Sequence, residues 1–177
     1  LSASRMRHSY MTYGFIDPLI RSGSINPSAV WYHNWPIFVI FMASSIIIPR
    51  IDPPMLINTF PFISNLFFIF PLYILFRSLS NSIEKIWISM WFFLIANWAG
   101  QDYFSPQCFA YYLFLICLFL LFKYILRIKD NNYDINPKYL SILIIIQLAL
   151  TMGHMLTAII MISILLIAYL FRLHNRI

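Results

Sequence analysis

The sequence predicts an all-α fold: a polytopic helical membrane protein of short helices in hairpins, with its polar chemistry in loops at one face. Three observations predict it. Charged residues make up 10% of the chain and apolar ones 61%, with mean hydropathy +0.77; a water-soluble domain carries about a quarter charged residues. Apolar runs follow one another with polar, Gly and Pro breaks between them, as in Ile86–Ala96 and Cys108–Phe122. The basic residues behind the net charge of +6 sit mostly at the ends of those runs. Membrane topology accounts for that placement, and nucleic acid is not needed as a partner to explain the charge.

Residues 1–34 read as an external juxtamembrane loop with an interfacial helix. Residues 35–177 read as a transmembrane bundle of about five or six membrane segments, part of one larger domain. Leu1–Asn34 is polar and aromatic, and its run Tyr10–Ile20 has a helical rhythm ended by Arg21-Ser22-Gly23. Gly suits the residue just past a helix end. Tyr10, Tyr13, Trp31, Tyr32 and Trp35 suit a headgroup zone. Leu1–Arg7 is polar and no apolar core follows it, which is not a signal-peptide pattern. The chain opens on Leu with no first span, and Arg172–Ile177 ends it just after a span; both features lead us to expect a piece of a longer protein.

Trp35–Ile48 is an apolar run of 14 residues. As helix it reaches about 21 Å, short of the roughly 30 Å hydrocarbon core, so it reads as a crossing where the bilayer is thinned or, preferred, as a dip that starts and ends outside. Met55–Phe76 is long enough to span, with kinks expected at Pro61 and Pro71. Arg77–Lys85 is a short basic loop; Ile86–Asn97 rises from it and Gln107–Phe122 returns. Lys123, Arg127, Lys129 and Lys138 follow, around the solvated stretch Asp130–Asp134. Tyr139–Phe171 has 33 residues, about 50 Å as one helix. Two helices with a turn near Gly153-His154 fit a bilayer better. The two cysteines, Cys108 and Cys117, are nine apart in one apolar run and off a common helical face, so neither a disulfide nor a metal site follows from them.

The charges orient the chain. Arg77, Lys85, Lys123, Arg127, Lys129, Lys138, Arg172 and Arg176 fall on one face, which the positive-inside rule makes cytoplasmic. The loops around Asp102 and His154 hold no Lys or Arg and fall on the external face. The chain is organised around Asn97–Gln107, read Asn-Trp-Ala-Gly-Gln-Asp-Tyr-Phe-Ser-Pro-Gln. It carries one acid, Asp102, beside Gln101, Ser105 and Gln107, with Gly100 and Pro106 breaking helix on either side. The chain has no P-loop, Rossmann glycine pattern, paired-cysteine motif, metalloprotease motif or nucleophile elbow.

The stretch Tyr13–Pro27, with its helix running into Ser22-Gly23-Ser24-Ile25, resembles the end of the first external loop of GT-C-class membrane glycosyltransferases. Tyr32-His-Asn-Trp-Pro36 resembles the entry to their next membrane segment. Asn97–Gln107 sits where their second external loop carries an acid, and His154–Thr157 resembles a later His-containing turn. The resemblance covers nearly the whole chain, as the front half to two-thirds of such an enzyme. It implies sugar transfer from a polyprenyl-phosphate-linked donor held at the membrane lipid surface, with Mg or Mn as a divalent metal. It also implies an acid early in the first loop, whereas Leu1–Tyr13 contains none and Asp17 stands too far into the loop helix to match it.

The candidate residues each carry two readings. Asp102 is a carboxylate for metal or donor phosphate, since carboxylates at a membrane edge are costly unless used, or a helix cap in a wet turn. His154, with Gln101, contacts the donor phosphate, or is an interfacial His bonded to a backbone carbonyl. His33 and Asn34 touch donor or acceptor, or anchor headgroups. Asp17 is a catalytic candidate, or a helix-end residue. Arg5, Arg7 and Arg21 hold phosphate, or lipid headgroups. Beside the enzyme stands a non-catalytic alternative, an accessory or lipid-carrier-binding membrane protein. A small transporter fits poorly, because the spans hold almost no charge.

Overall fold

The computed structural model describes residues 2–28, 30–97, 103–125 and 137–174, and they are helical almost throughout. Helix α1 spans Ser2–Ser22, α2 Pro36–Ile47, α3 Pro53–Leu79, α4 Ile83–Asn97, α5 Pro106–Leu120, α6 Pro137–Gly153 and α7 Met155–His174. A 3-10 turn, Trp31–Asn34, leads into α2, and α5 runs on through a π turn at Leu121–Ile125.

Local chemistry sets most of these boundaries. Gly23 ends α1 with φ +68°, and its N–H donates to the Leu19 carbonyl at 2.8 Å, the left-handed cap that Gly adopts without a Cβ penalty. The helix begins eight residues before Tyr10, because Ser2–Ser9 holds no Gly or Pro to stop it. Pro18 lies inside it. Pro36, Pro53 and Pro106 open α2, α3 and α5 at the first helical position, where a missing N–H costs nothing. Ser105 caps α5, its Oγ accepting from the Cys108 N–H at 3.2 Å. Arg50 takes φ 55° and the Ile51 N–H reaches back to the Ile46 carbonyl at 3.1 Å; this six-to-one bond closes α2. Pro61 and Pro71 sit within α3 without ending it.

The 33-residue run breaks at His154, as its length requires. Gln147 Nε2 donates to the Ala158 carbonyl at 3.2 Å. Eleven residues of straight helix would separate these groups by about 16 Å, so α7 folds back on α6. Gly153 is buried at the turn, and a Cβ there would stand 3.8 Å from the Phe109 ring.

Two packed clusters share α5. One gathers Ile16 of α1, Phe38 and Met42 of α2, Phe60, Phe68 and Leu72 of α3, Ile86 and Met90 of α4, with Phe104, Cys108 and Leu115. The other joins Ala110, Cys117 and Leu121 to Leu143, Leu150, Ala158 and Met161. At about 100° per residue, Cys108 and Cys117 stand on opposite faces of α5, one in each cluster. Ile16 of α1 is fully buried in the first cluster, so α1 packs against α2 and α3. Large apolar side chains also point outward, among them Phe62 and Phe70 of α3, Trp91 and Phe92 of α4, Leu148 of α6, and Ile167 and Phe171 of α7. Among the described residues two helical stretches, Pro53–Leu79 and Pro106–Tyr124, are long and apolar enough to cross a membrane, while Pro36–Ile47, Pro137–Gly153 and Met155–Phe171 are apolar but shorter.

Candidate functional site

A cleft of about 340 Å³ lies where α1, the turn before α5 and the α6–α7 turn meet. His8, Met11, Thr12 and Phe15 of α1 form one wall. Their spacing of three and four puts them on one helical stripe. Tyr32 adjoins that wall, its ring stacked on Phe15 at 4.5 Å. Tyr103, Ser105, Pro106 and Gln107 supply the opposite side, and His154 completes it. Phe104 anchors the turn from below: it is 1% exposed, with ring contacts to Phe38 at 5.6 Å and Phe60 at 5.2 Å.

His154 caps α7. Its Nδ1 accepts from the Thr157 N–H at 3.4 Å and lies 2.8 Å from the Thr157 Oγ1. With Nδ1 used as acceptor, the ring proton sits on Nε2. Burial lowers the His154 pKa below its ordinary value, because desolvation disfavours the charged ring. His154 thus offers the cleft a neutral N–H. The first residues of α5 and the residue before α7 both line the cleft. Each helix start carries a partial positive charge of roughly half a unit, so the cleft favours an anion. One residue further along α5, Cys108 and Phe109 begin a second, apolar groove of about 460 Å³ between α2, α3 and α5.

The remaining sequence candidates are not among the described residues that line the cleft. Gln101 and Asp102 fall outside the described residues, and the described chain resumes at Tyr103. His33 is 2% exposed; its Nδ1 accepts from the Asn26 N–H at 2.9 Å and its Nε2–H donates to the Phe15 carbonyl at 2.8 Å. Both nitrogens therefore serve the main chain. Asn34 is exposed at the end of the 3-10 turn. Asp17 accepts from the Tyr13 hydroxyl at 3.1 Å and pairs with Arg21 Nε at 2.6 Å. Burial, then the bond to Asp17, raises the Tyr13 pKa, with Asp52 adding a smaller effect of the same sign.

Among the described residues no group of three His, Cys, Asp or Glu could hold a metal, and no described carboxylate lines the cleft. Mg and Mn are hard cations that seek carboxylate and phosphate oxygens. The fit of such a metal therefore turns on Asp102. Sequence reasoning missed His8, Thr12 and Tyr103 as cleft residues. The signal was present as the stripe 8-11-12-15, but a helix started at Tyr10 cuts His8 from it.

No family model matches the sequence, and no curated protein or solved structure matches it either.

Proposed function

We propose that the chain is a polytopic, GT-C-like membrane glycosyltransferase that moves a sugar from a polyprenyl-phosphate donor at the external membrane face. One observation carries the reading: a cleft that sets His8, Thr12, Ser105, Gln107 and His154 beside two helix starts opens within one residue of an apolar groove along the same helix. Such a pair suits a ligand with a phosphate at one end and hydrocarbon at the other. The outward apolar side chains of α3, α4, α6 and α7 support the membrane setting, since so much exposed apolar surface needs lipid or protein against it. In this reading α3, α4 and α5 cross, α6 and α7 form a hairpin with His154 external, and α2 dips in from the external face. Asp102, with Gln101 and the His154 N–H, holds the donor phosphate. A divalent cation, Mg or Mn, would offset the repulsion between carboxylate and phosphate.

Asp17 is the weaker catalytic candidate, because Arg21 and Tyr13 already occupy its oxygens. That occupancy, and the lack of a described carboxylate lining the cleft, favour a second reading in which the protein binds the lipid carrier without chemistry. One experiment separates the two. The chain in nanodiscs is given a radiolabelled polyprenyl-phosphate hexose with Mg or Mn and a membrane extract as the source of acceptor hydroxyls, and retention, release of polyprenyl phosphate and transfer of label to the extract are followed. The enzyme releases polyprenyl phosphate, and Asp102→Asn abolishes release while insertion stays intact. Full activity in that variant removes Asp102 from the mechanism; retention without release in the wild type establishes the binding reading.

A further inference from the structure

We propose that the joint between the π turn Leu121–Ile125 and the start of α6 binds one anionic glycerophospholipid, its phosphate on Lys123 and Lys138 and an acyl chain along α6. The inference rests on the membrane setting proposed above and not on sugar transfer. The joint is made by rings. Tyr124 and Tyr139 stack with centroids 3.7 Å and planes 11° apart. Each of these tyrosines follows a lysine in the sequence, so the stack brings Lys123 and Lys138 to one place. A single π turn within an α-helix is a feature found often at functional sites.

The Lys123 ammonium is placed rather than loose. Its Nζ stands 5.2 Å from the Phe119 ring centroid and 5.2 Å from that of Tyr124, in the notch between two rings that meet edge-on at 84°. Cation–π attraction holds it there. An ammonium has three N–H donors, so two rings leave donors over for phosphate oxygens. Among the described residues no carboxylate pairs with Lys123. Glu84, the acid described at this end of the bundle, accepts from the Ser82 hydroxyl at 2.7 Å. Both Lys123 and Lys138 are exposed.

From Lys138 the surface of α6 turns apolar. Ser141, Ile145 and Leu148 follow it at steps of three and four, which keep one helical stripe, and all are exposed. Ser141 turns its hydroxyl back to the Pro137 carbonyl at 3.0 Å, so the stripe offers a ligand hydrocarbon alone. From Lys138 to Leu148 it runs about 15 Å, one leaflet of a hydrocarbon core roughly 30 Å thick. Charge at the helix end and a leaflet's length of apolar side chain match a phosphate with an acyl chain beneath it. A bare phosphate would leave the stripe uncovered. A zwitterionic lipid brings its own cation to the lysines.

The test uses the full chain in nanodiscs of mixed phosphatidylcholine and phosphatidylglycerol, released into mild detergent and weighed by native mass spectrometry. A phosphatidylglycerol with a diazirine in its acyl chain maps the contact. The expected result is one phosphatidylglycerol retained per chain, cross-linked at Ile145 or Leu148. A lysine beside an anionic headgroup is worth about fivefold in affinity. Lys123→Met and Lys138→Met should each lower the retained ratio of phosphatidylglycerol to phosphatidylcholine by about that factor, and the double variant by about twenty-five-fold. Lys123→Arg keeps the ratio. Arg77→Met and Lys85→Met, at the same end of the bundle but off the stack, leave it unchanged. An equal fall in those two overturns the proposal, since surface charge alone then explains the preference. So does retention of both lipids alike, cross-linking away from α6, or loss of the lipid to excess inorganic phosphate, which makes the ligand a bare anion. A chain that does not enter nanodiscs overturns the membrane setting and this site with it. Should the double variant fail to insert, the single variants decide.

Discussion

Phe104 joins the cleft turn to the rest of the bundle, and its removal should be costly. It is 1% exposed and packs edge-on against Phe38 at 5.6 Å and Phe60 at 5.2 Å. Two such aromatic pairs are worth about 1–3 kcal/mol together beyond area burial. Phe→Ala in the core of a water-soluble protein costs about 3–5 kcal/mol, transfer and cavity combined. Under the proposed membrane setting, a side chain at the bilayer edge gains less from transfer than one that leaves water, so the pair and cavity contributions dominate. Phe104→Ala should therefore lose about 3 kcal/mol. Reversible unfolding in mixed micelles, titrated with SDS and followed by circular dichroism, measures the loss. A change below about 1 kcal/mol would refute the argument, because the ring would then not be what holds Tyr103, Ser105 and Gln107 at the cleft.

Two glycines should respond oppositely to alanine. At Gly23, with φ +68° and open space around it, the cost is purely backbone, about 1 kcal/mol. At Gly153 a Cβ meets Phe109 at an ordinary 3.8 Å, so Ala should gain up to about 1 kcal/mol as the better helix former; the same SDS titration ranks the pair. Because burial lowers the His154 pKa from its ordinary 6.5, the unfolded chain takes up that proton first. Stability from this source is whole above about pH 6.5 and falls as the pH drops below it. His154→Asn still caps α7 and should flatten part of the acid-side decline, read as the difference in midpoint between pH 8 and pH 5; an equal decline in both proteins would exclude His154 as its source.

Much of the helix layout was legible because its causes are local. Prolines at 36, 53 and 106 and the glycine at 23 act through their own backbone geometry. The break at Gly153-His154 follows from helix length against bilayer thickness. The start of α1 was misread, since Ser2, Ser4 and Ser9 each offer a possible start and no Gly or Pro between them decides, and with it went His8. His33 shows the other limit. In sequence it stands beside Asn34 as a polar candidate at the membrane edge, yet in the fold both its nitrogens serve backbone groups seven and eighteen residues away. No pattern within a short window could carry that pairing.

By itself the sequence determined the helical class, the apolar runs and their breaks, and the asymmetry of charge, because each depends on residue chemistry summed over a few turns. The tertiary structure alone decided that α5 carries a core on each face. It decided as well that the stripe 8-11-12-15 meets the 103–107 turn and His154 in one cleft. These depend on how helices distant in sequence cross and pack. Side-chain volumes and hydrogen-bond directions set that packing across the whole chain at once.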